Sequence, residues 1–328
     1  MKDFLDYDIQ YPDLILRILD FFEMRENQPD KTVGAFCGSF EVPAGEQKLQ
    51  PEVVSRICRR MCERRIMICS SVHGYGGLLD TYYCKPNAYR KQARLRDMFI
   101  HRYNSFVYGF EYIYRAYTPR TIPIIARMEK GWSMGSCFRI YRGIATARHC
   151  LTDGRPIAIR GYSKEQLSRF PVYVSKNPEI DVAYILTGET HIFNEGEPHV
   201  LDNVLVMGYP RVPMFLDFCT GEKANISAMA DLRLTPTRGA IAAEGEIYFP
   251  RNLPKVMLIT AKIRGGNSGG PVINDEGYVV GIATGVPEGE GFSNDDVGYG
   301  MAYPIQVLDA VINENNTIQV EFADFITD

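Results

Sequence analysis

The residue of this 328-residue chain whose surroundings call most directly for chemistry is a serine in the string Arg264-Gly265-Gly266-Asn267-Ser268-Gly269-Gly270-Pro271-Val272. A nucleophilic hydroxyl has to be presented on a backbone whose amide N–H groups converge on one point. There they stabilise the negative oxygen of a tetrahedral intermediate. Glycines allow so sharp a turn and let the scissile carbonyl approach closely. An ordinary glycine-rich turn shares some of these features but not the whole string between two apolar runs. A serine is a weak nucleophile at neutral pH without a base. Of the five histidines, His73 falls in a glycine-rich turn, His101 in a helical stretch, and His191 and His199 in polar loop sequence. His149 instead closes the apolar run GIATA, upstream of the serine. Such a base needs a carboxylate to fix its tautomer and stabilise its charged form. Asp181, at the head of the apolar run DVAYIL, lies between the other two. The chemistry these three could do is acyl transfer to Ser268, and it calls for no metal and no cofactor.

Elements must position these residues. From about residue 120 the chain breaks into short apolar runs (IPIIARM, CFRIYRGIATA, PIAIRG, VYVS, VAYILT, VLVMGYP, KVMLITAKI, YVVGIATGV) between Gly, Pro, Asn and Asp. Many short strands at close spacing predict an all-β barrel or sandwich. A helix is expected over 304–314. The first part reads differently. Residues 11–25 put Leu14, Ile15, Ile18, Leu19 and Phe22 on one helical face. A turn-rich stretch follows, and residues 51–65 read as a second helix with Pro51 in its first turn. IMICSSV and LLDTYYCK then read as strands about the turn HGYGG. Helix, strand, glycine-rich turn, strand is how a winged-helix module ends, although no middle helix stands out between residues 30 and 50. Over 88–117, Phe99, Tyr103, Phe106, Phe110, Ile113 and Tyr117 recur at alternating spacings of four and three. That predicts one long helix whose aromatic seam packs on its own chain or joins a second copy in a homodimer. The fold class is therefore α+β. A mainly helical, winged-helix-like module spans 1–86, a connecting helix 87–118 and an all-β domain 119–328.

Composition bounds the rest. With 45% hydrophobic and 23% charged residues the chain is of ordinary globular make-up. Residues 1–130 hold 20 Lys and Arg against 16 Asp and Glu, and the remainder 16 against 24, so two modules of opposite charge are expected. Within 51–102 the balance is 11 basic to 4 acidic, with Arg56, Arg59, Arg60, Arg64 and Arg65 on or beside the second helix and Arg90, Lys91, Arg94 and Arg96 opening the long one. Phosphate backbones favour such a patch, so nucleic acid is one candidate partner. A protein partner, a scaffold or a merely solvated face are the others. No run of about eighteen apolar residues is present, and the acidic start lacks an apolar signal core, so a cytoplasmic location with no membrane contact is expected. Five of the eight cysteines, Cys37, Cys58, Cys62, Cys69 and Cys84, precede residue 90 without CxxC pairs. Buried thiols are a better reading of them than a zinc site at Cys58 and Cys62.

Taken together, the three segments resemble the trypsin-like peptidase superfamily, with its HtrA/Deg-like branch nearest in look. TARHC (146–150) is similar to that family's histidine motif, PEIDVAYILT (178–187) to its aspartate motif, and GNSGGPVIN (266–274) to its nucleophile motif. GSCF (135–138) resembles the family's GSGF, with Cys137 in place of a glycine. GYP (208–210) and GYGMAYP (298–304) also have counterparts. The chain order His, Asp, Ser is that of the chymotrypsin arrangement. The resemblance covers about residues 120–315 and implies two six-stranded β-barrels with the site between them, followed by a helix. It implies that Ser268 attacks a peptide carbonyl, that His149 is general base and then general acid, and that Asp181 orients His149. It also implies an oxyanion hole from the N–H groups of Gly266 and Ser268, and a strand around Ile282, Ala283, Thr284 and Gly285 that pairs with an extended substrate. Lys262, six residues before the serine, either lines the base of the specificity pocket, favouring an acidic side chain, or points to solvent. Secreted relatives pair the cysteine at the position of Cys150; for Cys137 and Cys150 the sequence leaves the pairing open, and thiols are expected in a reducing compartment.

The departures are equally informative. Asn267 stands where zymogen proteases have an aspartate, so activation by a freed N-terminus is not expected. About a dozen residues follow the last helix, so regulation by a PDZ domain is not expected either. The leading reading is a serine endopeptidase with an N-terminal regulatory or targeting module. The alternatives are a DNA-binding regulator with a sensing or self-cleaving peptidase domain, and a catalytically silent peptide-binding scaffold.

Overall fold

A computed structural model describes residues 7–24, 31–42, 48–74, 76–87, 92, 95–129, 131–189, 194–210, 233–245, 254–285 and 298–325. The chain divides into two compact units, Met1–Ile113 and Tyr114–Asp328.

The first unit opens with α1 (Tyr7–Gln10) and α2 (Leu14–Phe21). Leu14, Ile15, Ile18 and Leu19, the face picked out by helical spacing, are all buried. Next comes α3 (Val33–Ser39), in the stretch where no helix was expected. Two glycines lower its propensity, and tertiary contact outweighs them. Thr32 caps it, its hydroxyl accepting from the Ala35 N–H at 3.1 Å. Gly34 lies so close to Leu78 that a Cβ would fall 2.9 Å from the Leu78 carbonyl oxygen. Helix α4 (Pro51–Glu63) follows as predicted, burying Val54, Ser55, Ile57, Cys58 and Met61. Strands β1 (Ile68–Ser71) and β2 (Thr81–Tyr83) form an antiparallel pair.

The turn between those strands is pinned to α4 by a buried carboxylate. Asp80 is fully buried and accepts from Ser55 Oγ at 2.5 Å, the His73 N–H at 2.7 Å and Arg59 at 3.2 Å. Burial alone would raise its pKa, but those donors hold it below the ordinary carboxylate range. The arginines of α4 are thus partly structural. Arg59 pairs with Asp80, Arg60 donates to the Val107 carbonyl, and Arg64 lies over the Phe106 ring. Arg90, Lys91 and Arg94 lie outside the described residues.

The single helix expected over 88–117 is two, α5 (Arg96–Tyr108) and α6 (Phe110–Tyr117). Gly109 breaks it with φ +67°, a left-handed conformation that glycine adopts without the usual penalty. Phe99 and Tyr103 stack with ring centroids 5.8 Å apart inside the core of the first unit.

The second unit is built of strands, as predicted. In chain order they are β3 (Thr121–Arg127), β4 (Trp132–Ile140), β5 (Gly143–Thr146), β6 (Ile157–Ile159), β7 (Val172–Val174) and β8 (Ala183–Ile185). These continue as β9 (Asn203–Gly208), β10 (Thr235–Gly245), β11 (Val256–Ile259), β12 (Pro271–Asn274), β13 (Val279–Gly285) and β14 (Gly300–Pro304). One-turn helices α7 (His149–Thr152) and α8 (Lys164–Leu167) interrupt the first set, and α9 (Val307–Asn313) and β15 (Thr317–Ile318) close the chain. The second set forms a closed six-stranded barrel in the order β10-β11-β14-β13-β12-β9. The first set was expected to close as well. It forms a seven-stranded sheet, β15-β7-β8-β5-β4-β3-β6, in which β15 adds to the edge at β7 and the segment after it reaches the opposite edge, where Phe322 pairs with Ile157 of β6. Each half has its own apolar core. Among the described residues no helix is long and apolar enough to cross a membrane.

Candidate active site

Strand β5 delivers the chain to α7, and His149 is the first residue of that turn. Asp181 stands two residues before β8, which pairs with β5 through Thr146 and Ala183. The pairing brings the two side chains together. The carboxylate meets His149 with both oxygens, Oδ1 accepting from the His149 backbone N–H at 2.8 Å and Oδ2 lying 2.6 Å from Nδ1. The loop carrying Asp181 is held on two sides. Arg148 donates to the Ser175 carbonyl at 3.3 Å, and the buried Tyr303 of β14 donates to the Glu179 carbonyl at 3.0 Å. Burial disfavours the charged imidazole, but the bond to Asp181, helped by the Cys150 thiol, outweighs it. The pKa of His149 lies above the ordinary imidazole range.

Ser268 is carried by the turn that enters β12. Gly266 has φ +103°, and a Cβ there would fall 2.2 Å from the Tyr209 carbonyl oxygen. Gly269 has φ +82°, and its Cβ would fall 2.1 Å from the Ser136 carbonyl oxygen. No other residue type fits either position, which is the physical content of the glycine pattern. The Ser268 hydroxyl donates to the Thr284 carbonyl at 2.9 Å and not to His149. The N–H groups of Gly266 and Ser268 have no hydrogen-bond acceptor among the described residues. The Asn267 side chain is 1% exposed, and neither of its polar atoms finds a partner there.

The other anticipated residues are placed as follows. Ile282 and Ala283 are wholly buried in the barrel. Ala283 uses both of its backbone groups on the nucleophile turn, accepting from the Gly269 N–H and donating to the Gly270 carbonyl. Thr284 is buried with its carbonyl on Ser268, and Gly285 is half-buried. Lys262 is exposed, whereas its neighbour Ile263 is buried, against Gly300. Cys137 and Cys150 are both free and buried. The Cys150 thiol donates to the Ser268 carbonyl at 3.5 Å and abuts Gly135. Among the described residues no group of three His, Cys, Asp or Glu side chains is placed to hold a metal ion. Of the remaining histidines, His199 lies 3.5 Å from Asp202 on the surface, His101 bonds Tyr112, His73 bonds Ser71, and His191 is outside the described residues.

Residues 135–282 match the family model described as a trypsin-like peptidase domain, a stretch that includes His149, Asp181 and Ser268. That stretch of the chain is a trypsin-like peptidase domain. Its architecture is a closed six-stranded barrel beside a seven-stranded sheet, with His149 and Asp181 carried by the sheet and Ser268 by the turn entering the barrel strand β12. No curated protein matches the chain. Among solved structures, the Rv3671c protease from M. tuberculosis in its active form is 20% identical, with TM-score 0.45 over 64% of this chain and 88% of that one. The serine endoprotease from Yersinia pestis is 23% identical, with TM-score 0.42 over 62% and 64%. An HtrA-type protease solved with a tripeptide is 20% identical, with TM-score 0.44 over 61% of each chain. The family match lies within the second unit.

Sequence reasoning overlooked two side chains of the peptidase domain, Ser136 and Thr146. Both are fully buried and hydrogen-bonded around the nucleophile turn. Ser136 stood in the GSCF motif, but nothing in the motif indicated what it touches.

Proposed function

We propose that the peptidase domain is an active serine endopeptidase. Ser268 attacks the carbonyl of an extended peptide. His149 takes the hydroxyl proton at Nε2 and passes it to the leaving amine. Water then hydrolyses the acyl-enzyme by the same steps in reverse. The observation that carries this reading is the two-point contact of Asp181 on His149, at 2.8 and 2.6 Å. It favours the tautomer with the proton on Nδ1, which leaves Nε2 as a base. The uncommitted N–H groups of Gly266 and Ser268 support an oxyanion hole at those two residues. In the resting state the hydroxyl sits on Thr284, and rotation about χ1 carries it toward Nε2. Catalytic hydrogen bonds often form only once substrate is bound. Gly285, the residue of β13 left half-buried, is where the substrate backbone would begin to pair. On this reading the first unit, with its helices and the hairpin β1–β2, serves as a regulatory or targeting module of winged-helix type.

The test is covalent labelling with a fluorophosphonate, in which the Oγ–P bond forms, fluoride leaves and the proton passes to His149. Wild-type chain is expected to label, and Ser268→Ala and His149→Ala are expected not to. Equal labelling of Ser268→Ala would refute the assignment.

A further inference from the structure

Ser136, on β4, makes more contacts with the nucleophile turn than its place in the sequence suggests. It is fully buried. Its hydroxyl donates to the Gly266 carbonyl at 2.7 Å and accepts from the Tyr209 N–H at 2.9 Å. Its own N–H donates to the Ser268 carbonyl at 2.8 Å, and its carbonyl accepts from Thr146 Oγ1 at 2.7 Å.

The first of these bonds acts on a particular peptide plane. The Gly266 carbonyl and the Asn267 N–H belong to one rigid unit. Ser136 holds its oxygen, and the Arg264 carbonyl holds its N–H at 2.9 Å. With that plane gripped at both ends, the φ of +103° at Gly266 sets the direction of the Gly266 N–H. Glycine alone would not keep it there, since the freedom that admits this conformation also admits others. The Tyr209 N–H closes the arrangement. It draws the segment whose carbonyl lies against Gly266 onto the same hydroxyl.

We propose that Ser136 is a positioning residue whose hydroxyl locks the Gly266–Asn267 peptide so that the Gly266 N–H faces the point where the oxyanion forms. The inference rests on the reading of Ser268 as nucleophile and adds to it a residue that touches neither substrate nor the reacting atoms.

The experiment follows the labelling rate of the full chain across fluorophosphonate concentration and pH, together with the thermal midpoint. In Ser136→Ala the rate at saturating probe is expected to fall about 30- to 100-fold, the size of effect that a misplaced oxyanion donor produces. The half-saturating concentration and the pH midpoint set by His149 stay where they are, and labelling still goes to completion. Ser136→Cys, nearly the same volume with a weaker donor, gives an intermediate rate. A role confined to stability would instead lower the labelled fraction while the folded fraction reacts at the wild-type rate, and that result overturns the proposal. So does a wild-type rate in folded Ser136→Cys, which decides the matter if Ser136→Ala does not fold. If wild-type chain labels at Ser268 and Ser136→Ala matches it, the positioning role alone is lost. If wild-type chain does not label at Ser268, the nucleophile reading fails and takes this inference with it.

Discussion

Asp181→Asn is the substitution that separates geometry from chemistry at this site. Asparagine has nearly the same shape, so its oxygen still accepts the His149 backbone N–H that Asp181 accepts at 2.8 Å. The other arm becomes an NH₂ group facing Nδ1 across 2.6 Å. Two donors cannot face each other, so Nδ1 gives up its proton, Nε2 carries one, and the imidazole can no longer accept from Ser268. The expected loss in labelling rate is about 10³- to 10⁴-fold, or about 4–5.5 kcal/mol of transition-state stabilisation. Stability should change by only about 1 kcal/mol, because both side chains are partly solvated. The pH profile gives an independent readout. Labelling needs neutral His149, whose pKa is raised chiefly by the bond to Asp181 acting against burial. The wild-type rate therefore climbs with pH through a midpoint above about 6.5, and the variant's midpoint falls back toward that value. Linkage has the matching sign. The contribution of charged His149 to stability is complete below about pH 6.5 and is lost as pH rises through the raised folded-state pKa. The variant should lack that decline. A variant that labels within about tenfold of wild type, with the same acid limb, would refute the reasoning.

Other perturbations are as specific. Gly269→Ala places a Cβ 2.1 Å from the Ser136 carbonyl oxygen at a φ of +82°. It should cost at least about 3 kcal/mol in chemical denaturation and abolish labelling. Asn267→Asp buries a carboxylate where neither polar atom of the asparagine has a partner among the described residues. The expected penalty is more than about 3 kcal/mol at neutral pH, recovered below about pH 4 where the acid is protonated, and denaturant midpoints at the two pH values check it. Asp80→Asn removes the charge that holds Arg59 and should lower the stability of the first unit by about 1.5–3 kcal/mol. The effect of Asp80 is present above its unfolded-state pKa and fades as pH falls through the depressed folded-state value. The sole tryptophan, Trp132, is in the second unit, so its fluorescence transition should stay in place while the helical circular-dichroism transition moves.

How much of this was legible in the sequence depended on whether a constraint was local. His149, Asp181 and Ser268 could be singled out as candidates because the chemistry proposed for them restricts residue type, neighbours and chain order together. The glycines at 266 and 269 could be found because each answers a backbone demand within its own turn. Helix α3 was hidden because it is held by long-range contacts, Val33 and Phe36 in the core of the first unit and the Gly34 N–H on the Leu78 carbonyl, rather than by its own glycine-containing sequence. The break at Gly109 was hidden for the opposite reason. The aromatic spacing continues from Phe106 to Phe110 across it, so the periodicity shows no interruption where the backbone has one. The two edges of the seven-stranded sheet are joined by the C-terminal segment, β15 on β7 and Phe322 beside Ile157, pairings between residues more than 140 apart. Ser136 could be read as part of a motif but not for its contacts, since three of its four partners lie 73 or more residues away.

Those long-range partners matter because the proposed catalytic residues hang from different sheets. His149 and Asp181 belong to the seven-stranded sheet and Ser268 to the barrel, so neither half contains the chemistry alone. What registers them are bonds that cross between the halves: Ser136 N–H to the Ser268 carbonyl, Ser136 Oγ to the Gly266 carbonyl, Tyr303 to the Glu179 carbonyl, and Tyr209 to the Thr121 carbonyl. Each has a main-chain acceptor, and those of Ser268 and Gly266 belong to the nucleophile turn itself. Those made by Ser136 and Tyr209 are sheltered from competing water, where a hydrogen bond is electrostatically stronger and its loss leaves a costly orphan. Rate is sensitive to displacements of about 1 Å in such a site. Substitutions at these crossing bonds should therefore depress labelling rate by more than their effect on stability accounts for, whereas substitutions deep in either apolar core should do the reverse.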